Sequence, residues 1–346
     1  LGARVDFPTW KGNLIAYDLS ASPPTVAWNA ANHFDPTVDP NYWKKRRVYT
    51  SNGATMTRIQ VDGTTGAIIN KAELFALGLG ADAEEAERIA RWMLGDPLMG
   101  NQHVLGAMIN STPIDVGQPG ANPLPGGKTF ATALQGRPNL TYVGSDDGML
   151  HAFFTKATTI GGTTYAAGSE AFAYIPPDMF KVVTRLFAQG GQKAHPRQHI
   201  FGISASPKVR NMCVSNCTSD TNAVWRTLLT LGEGYGGHDT FMLDITNPFD
   251  GSGVKNPPVT LMWHSEFANP TDVAIYDNVL GQTASVAGFY LGKTATLDDQ
   301  RVVFASGYPK PNAPAAQGIT IVNAKARDGT IVDYDTVSSA AACSHP

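Results

Sequence analysis

Charge is scarce in this chain. Lys and Arg number 26 against 29 Asp and Glu, 16% of 346 residues, for a formal net charge of −3. So thin and balanced a distribution excludes a nucleic-acid footprint, which needs a basic patch or stripe to meet phosphate. Long apolar runs are missing as well: no stretch approaches the roughly 20 residues that cross a bilayer, so no membrane-spanning segment is expected. The chain opens Leu1-Gly-Ala-Arg-Val-Asp, without Met or a signal-like apolar segment, and reads as a mature product or a fragment.

Cysteine is limited to Cys213, Cys217 and Cys343. Three thiols so placed cannot build a paired C-x-x-C zinc site, and no C-x-x-C-H is present for covalent haem. Cys213 and Cys217 stand four apart in a polar, loop-like stretch. They form a local disulfide in an oxidising compartment or stay reduced in a cytosolic one, and the sequence leaves both readings open. Catalytic signatures are absent too: no G-x-S-x-G elbow, no P-loop, and no Ser-x-x-Lys pattern in a convincing context. No D-x-[DN]-x-[DN]-G run occurs, so an acidic calcium loop is not supported.

Glycine and proline, by contrast, are plentiful: 35 and 23, about one residue in six, as expected where many strands are joined by tight turns. Short β-prone runs at 14–19, 47–49, 141–144, 149–154, 225–231, 240–245, 259–263, 301–305 and 319–323 alternate with turn residues. One helix signal stands out at residues 81–94, where Asp82 and Glu85 have capping-box spacing, Ile89, Trp92 and Met93 make an apolar stripe, and Gly95 is the stop. The expectation is an all-β scaffold with a single helical insertion at residues 70–96.

Two segments repeat a pattern. Leu14-Ile-Ala-Tyr-Asp18 leads through Pro23-Pro24 to Trp28, and Phe241-Met-Leu-Asp244 leads through Asn247-Pro248 to Trp263; a weaker copy begins at Ile319 and lacks the Trp. Repeated antiparallel units with a docking Trp suit a β-propeller, whose blades bury their apolar faces on one another. Residues 141–154 read as a hairpin, with Asp147-Gly148 as a type I′ turn needing positive φ at both central residues. Asp146 and Asp147 could ligate a metal, but paired acids at a Gly turn read first as turn formers. His151, His195, His199 and His238 read as structural: Pro196 removes the helical geometry that would put His195 and His199 on one face. The glycine-rich run at 231–237, including Gly236 and Gly237, precedes a strand rather than a helix, so it reads as a blade turn and not as a phosphate cradle.

Taken together, several motifs resemble the C-terminal domain of the PilY family. They are Arg91-Trp-Met-Leu-Gly-Asp, the run from Val104 to Gly117, Tyr142-Val-Gly-Ser-Asp146-Asp147-Gly148-Met-Leu-His151, Glu170-Ala-Phe-Ala-Tyr-Ile-Pro-Pro, Trp225-Arg-Thr-Leu-Leu, and Gly236-Gly237-His-Asp-Thr-Phe-Met-Leu-Asp244. They come in the family's order across roughly residues 90–310. The resemblance implies a modified β-propeller similar in shape to quinoprotein alcohol dehydrogenases, and residues 1–346 read as a single propeller domain, whole or in part. It also implies a non-enzymatic part of the type IV pilus machinery that supports assembly, opposes retraction and acts in adhesion. The implied location is extracellular, at the pilus tip or the outer-membrane surface of a bacterium, with minor pilins and a host or abiotic surface as partners. Calcium belongs to the family, but its acidic loop is absent from this chain. The rival readings are a quinone-dependent dehydrogenase, which would carry adjacent cysteines where Cys213 and Cys217 are separated, and a carbohydrate-binding propeller.

Overall fold

The computed structural model describes residues 1–6, 10–53, 55–101, 104–193, 198–291, 300–307 and 319–337. His195 and Cys343, both singled out in the sequence, lie outside the described residues. The chain forms two compact units, each with its own sheets.

The first unit comprises Leu1–Val116, Asn139–Ser204 and Phe249–Pro258. It holds a three-stranded antiparallel sheet of Gly2–Asp6, Lys11–Asp18 and Thr25–Asn29. Beside this in the same unit is a six-stranded sheet, in spatial order Met56–Arg58, Val48–Ser51, Glu170–Tyr174, Leu150–Phe154, Leu140–Gly144 and Ile114–Val116. Its central strands are buried on consecutive residues, because both faces are covered: every residue of Leu140–Gly144 and Leu150–Phe154 is buried, Thr141 and His151 included. All pairings in it are antiparallel except Glu170–Tyr174 with Val48–Ser51.

The second unit comprises Gly117–Pro138, Ala205–Pro248 and the described residues from Val259 onward. One four-stranded sheet runs Lys208–Ser215, Val224–Gly232, Thr240–Asp244, Thr260–His264; another runs Gly288–Leu291, Gln300–Ala305, Ile319–Lys325, Ile331–Val337. A single apolar cluster joins Met212, Leu228, Met242 and Trp263 of the first sheet to Phe289, Val302, Phe304 and Val322 of the second.

The repeat noticed in the sequence is a repeat of register. Trp28 faces Ala16 and Trp263 faces Met242, each beside a one-residue slip, after which Asp18 pairs with Thr25 and Asp244 with Thr260. Each aspartate closes a turn: Asp18 Oδ1 accepts the Ser20 amide at 2.9 Å and Asp244 Oδ1 the Thr246 amide at 2.9 Å. The two tryptophans dock in the same way. Trp28 Nε1 donates to the Thr155 carbonyl at 2.9 Å, and Trp263 Nε1 to the Ala326 carbonyl at 3.0 Å. In both cases the accepting residue directly follows a strand, and a left-handed glycine lies under the ring. That glycine is Gly168, φ +78, whose amide bonds Phe154, or Gly329, φ +71, whose amide bonds Lys325. A Cβ on either would come within 2.8 Å of the indole. Trp225 follows a related plan, donating to the Pro125 carbonyl at 2.8 Å above Gly126.

Three sequence expectations need correction. The helix at residues 81–94 forms as Ala83–Leu94, with Asp82 accepting the Glu85 amide at 2.7 Å and Gly95 in the left-handed region, but the Glu85 carboxylate reaches the Ala81 amide rather than that of Asp82. It is also not the sole helix: Lys71–Ala76 precedes it, and Gly127–Ala133, Phe180–Ala188 and Pro270–Val279 lie elsewhere. Phe180–Ala188 carries β-branched Val182, Val183 and Thr184, weak helix formers, and is held by burial of Phe180, Val183 and Leu186. Finally, the 141–154 hairpin does not use a type I′ turn. Gly144 pairs with Leu150, Ser145 with Met149, and of the three loop residues only Gly148 has positive φ, at +87. This is the three-residue loop in which a type I turn is followed by a left-handed glycine, so Asp147 keeps an ordinary backbone conformation.

Candidate functional site

Buried charge gathers at the tip of that hairpin, where Asp146 is 1% exposed and His151 is fully buried. Ser145 accepts two backbone amides, from Gly148 at 3.1 Å and from Ile203 at 2.9 Å, while the Asp146 amide donates to the Ala107 carbonyl at 2.9 Å. Flanking segments come too close for side chains: a Cβ on Gly106 would lie 2.4 Å from the Asp147 amide nitrogen, and one on Gly202 would lie 2.5 Å from that of Gly148. Backbone packed this tightly fixes the direction of both aspartates.

Asp147 points at His151, with Oδ2 3.0 Å and Oδ1 3.2 Å from Nε2. Its carboxylate also accepts the amides of Gly106 and Met149, each at 3.1 Å. On its other side His151 Nδ1 meets Glu170 Oε1 at 2.8 Å. Glu170 opens its strand at a bulge, which re-aims its side chain toward this cluster. Arg46 completes the set as a two-pronged partner, Nε to Oε2 at 2.8 Å and Nη2 to Oε1 at 2.9 Å. Its Nη1 reaches the carbonyls of Met93 and Leu94 at 3.1 and 3.3 Å, the last turn of helix Ala83–Leu94. The guanidinium also lies 5.0 Å from the centre of the Phe34 ring. Two cations therefore face two carboxylates, all nearly out of water.

Electrostatics follows from the geometry. A neutral imidazole can donate from only one nitrogen, yet both nitrogens of His151 face carboxylates, so the doubly protonated ring fits. Burial alone would lower its pKa; Asp147 and Glu170 outweigh that and raise it from 6.5 to about 9. Burial would likewise raise Glu170, but Arg46 and His151 prevail and bring it from 4.5 to about 2. The sign of the linkage differs between the two groups. His151 stabilises the fold fully below pH 6.5 and loses that contribution as pH rises through 9. Glu170 stabilises fully above pH 4.5 and loses its contribution as pH falls through 2. Stability from this cluster should therefore peak between about pH 4.5 and 6.5. Melting temperature measured from pH 6 to 9.5 should fall in the native protein, and this alkaline slope should be flattened in His151→Gln; equal slopes in both proteins would contradict the assignment.

Asp146 turns the other way. Its Oδ2 is 2.8 Å from His199 Nε2, and Oδ1 accepts the Gly202 amide at 3.1 Å. Burial raises its pKa, with His199 opposing. All four oxygens of Asp146 and Asp147 thus have N–H partners, and a cation would have to displace these donors. Both residues form the turn, as the sequence suggested, and they are also buried ionic partners, which it did not suggest. His151 and His199 sit in this region as packed, partnered side chains; His238 lies elsewhere. Sequence reasoning gave no role to Arg46 or Glu170. The one usable signal was an acid heading the otherwise apolar run Glu170-Ala-Phe-Ala-Tyr.

The remaining singled-out residues lie in the second unit. Trp225 packs on Cys213 and Cys217, which are joined by a disulfide. Gly236 ends a short 3-10 turn and Gly237 is extended, linking Val224–Gly232 to Thr240–Asp244, so this segment is a strand connection. Asp244 also pairs with Arg226 at 2.8 Å. Closing so short a loop constrains the unfolded chain by about 2 kcal/mol. Replacing both cysteines with alanine should lower stability by about that amount in denaturant titration, and thiol labelling of the denatured native protein should leave Cys213 and Cys217 unmodified.

Antiparallel sheets joined by tryptophans seated on left-handed glycines are the blade-and-dock construction of a β-propeller protein. A family model described as the PilY1 beta-propeller domain matches residues 105–333, and the chain belongs to that family. It is 30% identical over 337 residues to "Type IV pilus biogenesis factor PilY1" of Pseudomonas aeruginosa (strain UCBPP-PA14), covering 89% of this chain and 25% of that protein. A "Type IV pilus biogenesis factor PilY1 homolog" of Xylella fastidiosa (strain Temecula1 / ATCC 700964) is 27% identical over 255 residues, 69% of this chain and 18% of the relative. The chain thus spans about a quarter or less of the length of these curated relatives. Among solved structures, the Pseudomonas aeruginosa PilY1 C-terminal domain aligns with TM-score 0.41 and 23% identity over 62% of this chain and 33% of that one.

Proposed function

We propose that this chain is the propeller portion of a type IV pilus biogenesis factor, acting as a non-enzymatic scaffold that supports pilus assembly, opposes retraction and contributes to surface adhesion. The observation that carries this reading is the match over 89% of the chain to a protein named as such a factor. In this reading residues 1–346 form one propeller domain with residues 70–96 inserted. Trp28, Trp225 and Trp263, with Asp146, Asp147, Gly148, His151, Gly236, Gly237 and Asp244, are fold-critical rather than catalytic. Its partners are minor pilins and the pilus tip, with a host or abiotic surface beyond. Its place is outside the cell, at the tip or on the outer membrane.

Deleting the gene should abolish surface pili in electron micrographs, and a plasmid copy should restore them. In a strain unable to retract pili, the same deletion should leave fibres visible but fewer, since assembly support and resistance to retraction are then separated. Normal piliation after deletion in a retracting strain would sink the proposal.

A further inference from the structure

A cleft of about 470 Å³ in the first unit is lined by Arg185, Gln189, Lys193, Gln198 and His199, with Ala188 and Ile200 as its apolar wall. Among the described residues its charged lining is cationic, Arg185 and Lys193. Neither Arg185 nor Lys193 has a carboxylate partner among the described residues; Lys193 reaches only the Gln189 backbone carbonyl. Two side-chain nitrogens here, Gln189 Nε2 and His199 Nδ1, are buried without a hydrogen-bond partner among the described residues. Buried polar atoms are rarely left so, because an unpaired one costs free energy.

His199 is the more informative of the two. Its side chain is 1% exposed. Nε2 is committed to Asp146, the Trp10 ring lies 4.2 Å away and the Phe201 ring 4.6 Å away, edge-on. Nδ1 is the one polar ring atom left over. Gln189 Nε2, Arg185 and Lys193 can only donate, so the occupant that completes this set is an acceptor, and the two cations without a carboxylate partner select one carrying negative charge. Arg185 supplies a fork that suits a planar two-oxygen group, and Lys193 a point charge beside it. The cleft is far roomier than a lone small ion needs, and its apolar wall suits the carbons that carry such a group.

We propose that this cleft binds a carboxylate borne by a peptide, an Asp or Glu side chain or a C-terminus, with Arg185, Lys193 and Gln189 as donors and His199 Nδ1 beside them. The site stands independently of the pilus reading. Through Asp146 it also touches the hairpin tip that holds the buried ion cluster.

The test is titration of the whole chain at low ionic strength with a short aspartyl peptide, its asparaginyl counterpart and inorganic phosphate, followed by calorimetry and by the ¹⁵N resonance of His199 Nδ1. Saturable binding of the aspartyl peptide is expected, with a shift of that resonance and at least about tenfold weaker binding of the asparaginyl peptide. Arg185→Gln and Lys193→Gln change exposed residues, so circular dichroism should be native for both, and each should weaken the aspartyl peptide about tenfold or more. Absence of saturable binding, equal affinity for the asparaginyl peptide, or affinity unchanged in both variants would overturn the site. Tighter binding of phosphate than of the aspartyl peptide would overturn the carboxylate assignment.

Discussion

Replacing His151 with leucine should cost about 3–5 kcal/mol in urea denaturation, the range found when one member of a buried ionic set is removed. The loss is large because of what stays behind. Asp147 and Glu170 would face an apolar side chain, and Arg46 alone cannot answer two buried carboxylates. Leucine is close to histidine in size, so the effect is electrostatic rather than a cavity. Two comparisons isolate this cause. His151→Gln retains one donor and should cost less than leucine. The double change His151→Gln with Asp147→Asn should cost clearly less than the sum of the single changes, since the stranded charge leaves with its partner. Strict additivity would show that the two residues do not act as a pair. Arg46→Met should resemble the leucine variant and also uncap the carbonyls of Met93 and Leu94.

Trp263→Ala should be as damaging, by about 3–5 kcal/mol, from lost burial and the cavity that remains. Trp263 is 5% exposed and lies in the cluster that unites the two four-stranded sheets of its unit. Trp263→Phe separates area from polarity. It keeps most of the apolar contact but leaves the Ala326 carbonyl without its indole donor, and about 1–2 kcal/mol should be lost. The seat can be probed from the other side. Gly329→Ala places a Cβ 2.7 Å from Trp263 Cδ2 at φ +71, so it should destabilise through both clash and backbone strain. If Gly329→Ala were neutral while Trp263→Ala was severe, the ring would not depend on its glycine seat.

Local features of the fold were readable from the sequence, while those depending on distant partners were not. Helix Ala83–Leu94 was visible because its start, stripe and stop all lie within fifteen residues. The strands were visible because each buried run has its own apolar pattern, and the repeat because Asp18 and Trp28 recur as Asp244 and Trp263 at matching register. What each tryptophan docks against was not visible: Trp28 reaches Thr155, 127 positions away. The buried cluster was hidden for the same reason. Asp147 and His151 are four apart and readable as a pair, but Arg46 and Glu170 are separated by 124 positions, and no local pattern announces an ion pair across such a gap. Helix Phe180–Ala188 was missed because packing, not propensity, holds it.

The hydrogen bonds from Arg46 to the end of helix Ala83–Leu94 bear on how this protein breathes. Fraying of that last turn would strip the guanidinium of two acceptors while its remaining charge partner stays fixed to the sheet. The helix is thereby tied to the buried six-stranded sheet of its unit, despite being joined in sequence to glycine-containing turns at both ends. Its amide protons should exchange with deuterium on the slow timescale of the Glu170–Tyr174 and Leu150–Phe154 strands, opening as one cooperative block with them rather than as a loosely appended arm.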